Sequence, residues 1–197
     1  MNKYMVFFLL AVVLICAGCS YDAKADVTTP QQNSVAKQEN TKIVPPSFGL
    51  TLDDFKQKYN EQCLNNGFSE DCMIRNIDVS IENNEKNFKC HIIRNTYIYG
   101  TISQVSGEVT VIHVSTYPIK SELVIADGFS VQAIVSCTIA PNLTPPERRK
   151  ILEKLGVLDN SLNKNGLELS TEYQNVRYTI NSSKEKGVNF IFIALKK

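Results

Sequence analysis

Two histidines are the residues of this chain best suited to proton transfer, because imidazole titrates near neutral pH. They are His91 and His113, and both fall in segments where apolar and polar residues alternate, which predicts β-strands. Serine hydrolase chemistry would also need a nucleophile and an orienting acid, and the chain has no Gly-x-Ser-x-Gly motif. We therefore expect His91 to be a solvated or edge residue, His113 to be a structural sheet residue, and no residue to be catalytic.

Adjacent carboxylates, the other candidates for acid–base chemistry, occur at Asp53–Asp54 and at Glu70–Asp71. The first pair stands at the start of a predicted helix, where negative charge complements the helix dipole. The second pair lies in a predicted loop and could bind a cation, but neighbouring side chains usually point apart. No phosphate-binding glycine motif is present, so the sequence predicts no cofactor.

The first twenty residues have the layout of an export signal. Lys3 supplies a positive charge, Met5 to Ile15 form an apolar run, and Ala17-Gly18-Cys19 follow. The run is too short for a membrane-spanning helix, which needs roughly 20 apolar residues. The segment is therefore predicted to direct export. One alternative is an ordinary secretory signal that is cleaved near Ala23 to Ala25.

The end of this segment resembles the lipobox of bacterial lipoproteins, in which small residues precede a modified cysteine. Cys16 departs from that pattern, because leucine usually stands three positions before the modified residue. The resemblance implies that residues 1–18 are removed and that Cys19 is lipidated on its sulfur. By the same resemblance, Ser20 favours an anchor in the outer membrane, with the protein facing the periplasm.

Four cysteines remain after the signal and Cys19, and an even number in an oxidising compartment predicts two disulfides. Three pairings are open. We favour Cys63 with Cys72 as a local bridge and Cys90 with Cys137 as a long-range one. A zinc site is the competing hypothesis, but these four include no Cys-x-x-Cys pair, so we expect no metal.

The charges are nearly balanced, with 21 basic and 20 acidic residues. Phosphate binding needs a clustered basic face, so the composition argues against a nucleic-acid partner. The short basic run Arg148-Arg149-Lys150 falls on a predicted helix, and we expect it to be a solvated face.

The chain divides into three segments. Residues 1–18 are the predicted signal peptide, and residues 19–46 are polar and without apolar periodicity, which predicts a lipidated flexible tether. Residues 47–197 are predicted to form one globular domain.

Within the domain, helices and strands are indicated by caps and by apolar periodicity. A helix starts at Thr51, whose spacing from Asp54 forms a capping box, and a second helix covers residues 122–139. A third lies within residues 142–156, where Thr144 can cap, Pro145 suits the first helical position and Glu147 completes another capping box. Strands are predicted at residues 77–82, 88–92, 97–102, 109–115, 172–181 and 188–195. This order predicts an α+β fold, with an antiparallel sheet of about six strands packed against two or three helices on one face. The apolar run Phe190 to Leu195 predicts a central strand buried on both faces.

Tyrosines are concentrated in or beside the predicted strands, where exposed rings provide contact area for a partner. They are Tyr97, Tyr99, Tyr117, Tyr173 and Tyr178. Our leading hypothesis is a membrane-anchored envelope lipoprotein with a non-catalytic domain that binds an envelope protein, in an inhibitor, immunity or assembly role. A carrier of a lipid or small apolar ligand is the alternative, and a hydrolase of envelope polymers is the second alternative.

Overall fold

A seven-stranded antiparallel sheet and three helices form the folded part of the chain. The computed structural model describes residues 44–119, 121–158, 166–183 and 185–196, so the predictions for the signal peptide, Cys19 and most of the tether lie outside the described residues. The elements follow the chain in the order α1 Leu52–Asn65, a 3-10 turn Glu70–Cys72, β1 Asp78–Glu82, β2 Glu85–Ile93, β3 Thr96–Ile102, β4 Val109–Thr116, α2 Glu122–Ile139, α3 Pro145–Lys154, β5 Leu167–Tyr173, β6 Val176–Ser183 and β7 Gly187–Ala194.

The strand order across the sheet is β1-β2-β3-β4-β7-β6-β5, and every neighbouring pair is antiparallel. The first four strands pair consecutively and form an antiparallel meander. The last strand, β7, pairs with β4 on one side and with β6 on the other. It therefore joins the β5–β6 hairpin to the first four strands. This arrangement leaves β1 and β5 as the two edges.

The sheet has one strand more than the sequence predicts. The segment 172–181, expected to be one strand, is divided by a turn at Gln174 and Asn175, whose φ values are 46° and 61°. Two consecutive left-handed residues form a tight hairpin turn that suits the twist of the strands, and asparagine tolerates this conformation. Residues from Leu167 to Tyr173 therefore become a separate edge strand.

The predicted helix starts are confirmed. In α1, Thr51 and Asp54 make a reciprocal capping box, and Thr144 and Glu147 do the same for α3. Helix α2 spans Glu122–Ile139 as expected and is apolar around most of its surface. It is long and apolar enough to cross a membrane, but 67% of it is buried inside the domain, as for a core helix.

The core lies between the helices and one face of the sheet. Helix α1 reaches this face through Phe55, whose ring centroid is 6.0 Å from that of Phe88, and α2 reaches it through Phe129, 5.4 Å from Phe190. Gly100 on β3 is required here, because a Cβ at this position would lie 2.3 Å from the Phe88 ring.

Strand β7 is buried on one face, whereas the sequence predicts burial on both. It is central, and Phe190, Phe192 and Ala194 are buried beneath the helices. Ile191 and Ile193 point to the opposite face and are only half-buried. The expectation of burial on both faces is therefore wrong, because helices pack on one side of this strand alone among the described elements.

Candidate functional site

The face of the sheet opposite the helices carries a continuous group of aromatic and aliphatic side chains. We call it the open face and define it by six half-buried residues on the three central strands: Tyr97, Tyr99, Val111, His113, Ile191 and Ile193. They alternate along each strand with residues of the core, as the two-residue period of a strand requires. No described helix packs on this side.

The strand register brings these residues together. Tyr99 lies opposite His113 on β4, and His113 lies opposite Ile191 on β7. One step along the strands, Val111 lies opposite Ile193. Side chains opposite each other on one face of a sheet are in contact range, so the open face is one contiguous surface.

A lysine and a histidine on β2 border the open face. The Lys89 ammonium lies 5.2 Å from the ring centroid of Tyr97 and 5.4 Å from that of Tyr99, which are cation–π distances. Among the described residues, Lys89 is in no ion pair, although Asp78 lies opposite it in the strand register. The His91 ring stacks at a tilt on Tyr97, with 5.0 Å between centroids.

The two histidines have structural environments. The Nε2 atom of His91 donates a hydrogen bond to the Arg94 carbonyl at 2.7 Å, within its own hairpin. Burial lowers the pKa of His113, so its ring is neutral at pH 7 and adds no charge to the open face. In the described part of the chain, neither ring hydrogen-bonds a carboxylate or a hydroxyl.

The paired carboxylates lie where the sequence places them. Asp54 accepts hydrogen bonds from Thr51, which lower the pKa of its carboxyl, and so it serves as the helix cap. Asp71 lies in the 3-10 turn, 3.5 Å from Arg75 in an exposed ion pair. Within the described ranges, no group of three or more His, Cys, Asp or Glu side chains is positioned to hold a metal ion.

Three of the four cysteines lie in the same core cluster as Tyr59. Cys63, Cys72 and Cys90 are free, buried thiols, so neither favoured disulfide is formed in the structure, and the pairing stays a prediction. The Cys63 sulfur lies 3.5 Å from the Ser69 carbonyl, as expected for a thiol that donates weakly to it. Burial raises the pKa of Cys63 to about 11 and that of Cys90 to about 12, so these thiols behave as small apolar core residues. Cys137 is buried in α2.

The basic run on α3 does not form a solvated face throughout. Arg149 is exposed, but Arg148 is buried with 3% of its surface accessible. Its guanidinium donates to Ser136 Oγ at 3.0 Å and to the Ala140 carbonyl at 2.8 Å, at the C-terminal end of α2. A positive charge is favourable there because the carbonyl end of a helix is negative. The prediction was wrong for Arg148, because the helical period turns it towards α2.

A cleft of about 230 Å³ lies where Ser47 and Phe48 meet the C-terminal end of α2. Its lining includes Ser47, Asn142, Gln174 and Asn175, and it is more polar than apolar. Sites for small apolar ligands usually have volumes of ~300 Å³ or more and an apolar lining. The cleft therefore gives no support to the carrier hypothesis.

The predicted tyrosines have different roles. Tyr97 and Tyr99 belong to the open face, whereas Tyr178 is buried in the core and Tyr117 is exposed after β4. The hydroxyl of Tyr173 donates to the Glu147 carboxylate of α3.

The aliphatic part of the open face was not predicted from the sequence. The available signal was that Phe190 to Ala194 on β7 are apolar at both sets of alternating positions, which predicted burial on both faces of that strand.

Comparison with known proteins identifies no relative: no protein-family model, curated protein or solved structure matches the chain.

Proposed function

We propose that this chain is a lipid-anchored envelope protein whose folded domain binds another protein through the open face. One observation carries the proposal: apolar side chains on the central strands β4 and β7 face away from the helices and remain half-buried. Contiguous apolar surface on a monomer is commonly an interaction site.

The composition of the open face supports a protein partner. Tyrosine is enriched at protein interfaces because it adds a large rigid contact area at low entropic cost, and charged residues are depleted at interface centres. Here Val111 and His113 of β4 lie between Tyr97 and Tyr99 on one side and the aliphatic residues Ile191 and Ile193 on the other, and the charged Lys89 lies at the border. This arrangement fits a partner surface with an apolar centre and a carboxylate at its rim.

The lipid anchor is the second part of the proposal and rests on the lipobox resemblance at Cys19. One acyl chain binds a bilayer only marginally, so we expect more than one chain on the mature terminus. The domain would then meet its partner at a membrane surface, and the partner would be a protein of the same envelope.

Site-specific photo-cross-linking in intact cells tests this function. We expect a photoreactive residue in place of Tyr99 to give a discrete adduct with one envelope protein. The substitution Ile191→Lys should abolish the adduct, because a buried charge opposes docking. A photoreactive residue in place of Leu64, exposed on α1, is the matched control and should give no such adduct. The same adduct from both positions, or none from position 99, would refute a role for the open face.

A further inference from the structure

Strand β1 is an edge whose outer side has no partner among the described strands. All five residues of Asp78–Glu82 are exposed, and the strand pairs with β2 in unbroken register from Asp78–Lys89 to Glu82–Glu85. A two-residue turn, Asn83-Asn84, joins the two strands. In such a hairpin the closing pair Glu82–Glu85 is hydrogen-bonded, so the backbone N–H and C=O groups of Val79 and Ile81 point outward.

Two apolar side chains add to these free backbone groups. Val79 is 49% exposed and Ile81 is 71% exposed, the largest value for a large apolar residue in the described part of the chain. Both point to the helix side of the sheet, where Val79 is opposite the buried Phe88. A strand added beside β1 would bury them and extend the core by one strand.

The only protection of this edge against added strands, among the described residues, is the negative charge of Asp78 and Glu82. Natural edges are shielded by charged side chains, proline, bulges or a covering element. Strand β1 contains no proline or lysine, and its pairing with β2 has no bulge. The opposite edge, β5, is different, because Tyr173 is tied to Glu147 of α3.

The charges on β1 select the kind of strand that can pair with it. Antiparallel pairing of two copies, centred on Ser80, would place Asp78 opposite Glu82 twice, and like charges directly opposite are destabilising. Neither carboxylate is in an ion pair with a described residue. The edge is therefore unfavourable for a second copy and favourable for a basic segment.

We propose that β1 binds an extended segment of another protein that pairs with it as an antiparallel strand. This segment has the pattern basic–apolar–polar–apolar–basic, with basic residues opposite Asp78 and Glu82 and apolar residues opposite Val79 and Ile81. Main-chain hydrogen bonds to the edge give affinity, and the alternating side chains give specificity. No stretch of residues 1–46 has this pattern, so the tether of the same chain is not the occupant. The inference rests on the proposed protein-binding function and adds a partner chemistry to it.

Binding of synthetic peptides to the full-length chain in detergent tests the inference. The probe is a capped peptide with the central sequence Lys-Val-Thr-Val-Lys, and its binding is followed by NMR amide shifts. We expect shifts confined to β1 and β2, and weaker binding as NaCl rises from about 50 to about 500 mM. A peptide with N-methylated valines keeps the side chains but loses the donors that face β1, and it should not bind. Equal binding of both peptides, shifts centred elsewhere, or no binding at about 1 mM would overturn the inference.

Charge-reversed variants provide a second measurement. The double variant Asp78→Lys, Glu82→Lys should weaken binding of the lysine peptide by about tenfold or more and should bind Glu-Val-Thr-Val-Glu instead. The matched control is Glu168→Lys, Glu172→Lys on β5, which changes net charge equally and should alter binding by less than about twofold. An equal loss in both variants would mean that overall charge, and not the β1 edge, controls binding.

The open-face variant separates the two proposals. Ile191→Lys should leave peptide binding unchanged, because Ile191 lies on β7, away from the edge. If the peptide fails to bind while the position-99 cross-link forms, the β1 inference is wrong and the proposed function stands. If the peptide binds without that cross-link, the open face is not the docking surface.

Discussion

At the scale of single residues, burial controls the chemistry of the thiols and phenols in this protein. Desolvation raises the pKa of Cys63 to about 11, and those of Cys90 and Tyr178 to about 12. Each of these groups therefore holds its proton more tightly in the folded chain than in the unfolded chain. The stability linked to these protons is complete below the unfolded pKa and is lost as pH rises through the folded pKa.

We predict that the free energy of unfolding of the reduced protein falls as pH rises from about 9 to about 11, measured by urea denaturation. The variant Cys90→Ala should be less stable at neutral pH because of the cavity, but it should show a shallower loss with pH. Parallel pH profiles for the two proteins would show that this thiol does not contribute.

Two neighbouring arginines on α3 should respond differently to truncation. Arg148→Ala removes hydrogen bonds to Ser136 and Ala140 and leaves buried acceptors unpaired, so we expect a loss of about 3 kcal/mol. Arg149→Ala breaks only an exposed pair with Glu153 and should cost about 0.5 kcal/mol or less. Urea denaturation of both variants checks this, and equal costs would contradict the structural role of Arg148.

At the scale of elements, one carboxylate links the start of α3 to strand β5. Glu147 accepts hydrogen bonds from the Tyr173 hydroxyl and from the Thr144 amide, and these lower its pKa to about 2. A lowered pKa contributes stability above the unfolded value near 4.5, and this stability is lost as pH falls towards 2.

We therefore predict that Glu147→Gln lowers the Tm at pH 7 and flattens the decrease in Tm between about pH 4.5 and about pH 3, measured by circular dichroism. Glu153→Gln, in the last turn of the same helix, is the control and should leave the acid response of the wild type unchanged. An identical acid response in Glu147→Gln and wild type would show that this link is not formed.

Local patterns predicted most elements because their causes are local. The capping residues Thr51 and Thr144 lie within four residues of the groups they satisfy, and alternation over a few residues identified β2, β3 and β4. The β5–β6 turn was missed because its residues, Gln174 and Asn175, lack the glycine that usually marks such a turn.

At the scale of the whole molecule, the proposed lipid anchor can be tested separately from the folded domain. We predict that Cys19→Ser abolishes labelling by palmitate and leaves residues 1–18 attached, because the lipobox resemblance makes Cys19 both the lipidated residue and the first residue after the removed segment. Metabolic labelling and the intact mass of the purified protein measure both effects.

Cys16→Ser is the matched control for this prediction. Cys16 lies within the predicted signal, so the mature protein should have the same mass and the same label as the wild type. Persistent labelling of Cys19→Ser, or loss of labelling in Cys16→Ser alone, would contradict the assignment of the modified residue.

The sequence by itself determined the α+β class, most helix and strand positions, and the lipobox-like start, because each depends on residues close together in the chain. Only the tertiary structure decided that β7 lies between β4 and β6, that Arg148 turns inward and that Ile191 faces away from the helices. Periodicity shows which residues share one side of a strand. Whether another element covers that side depends on packing between distant segments, and this is why the open face was visible only in the folded domain.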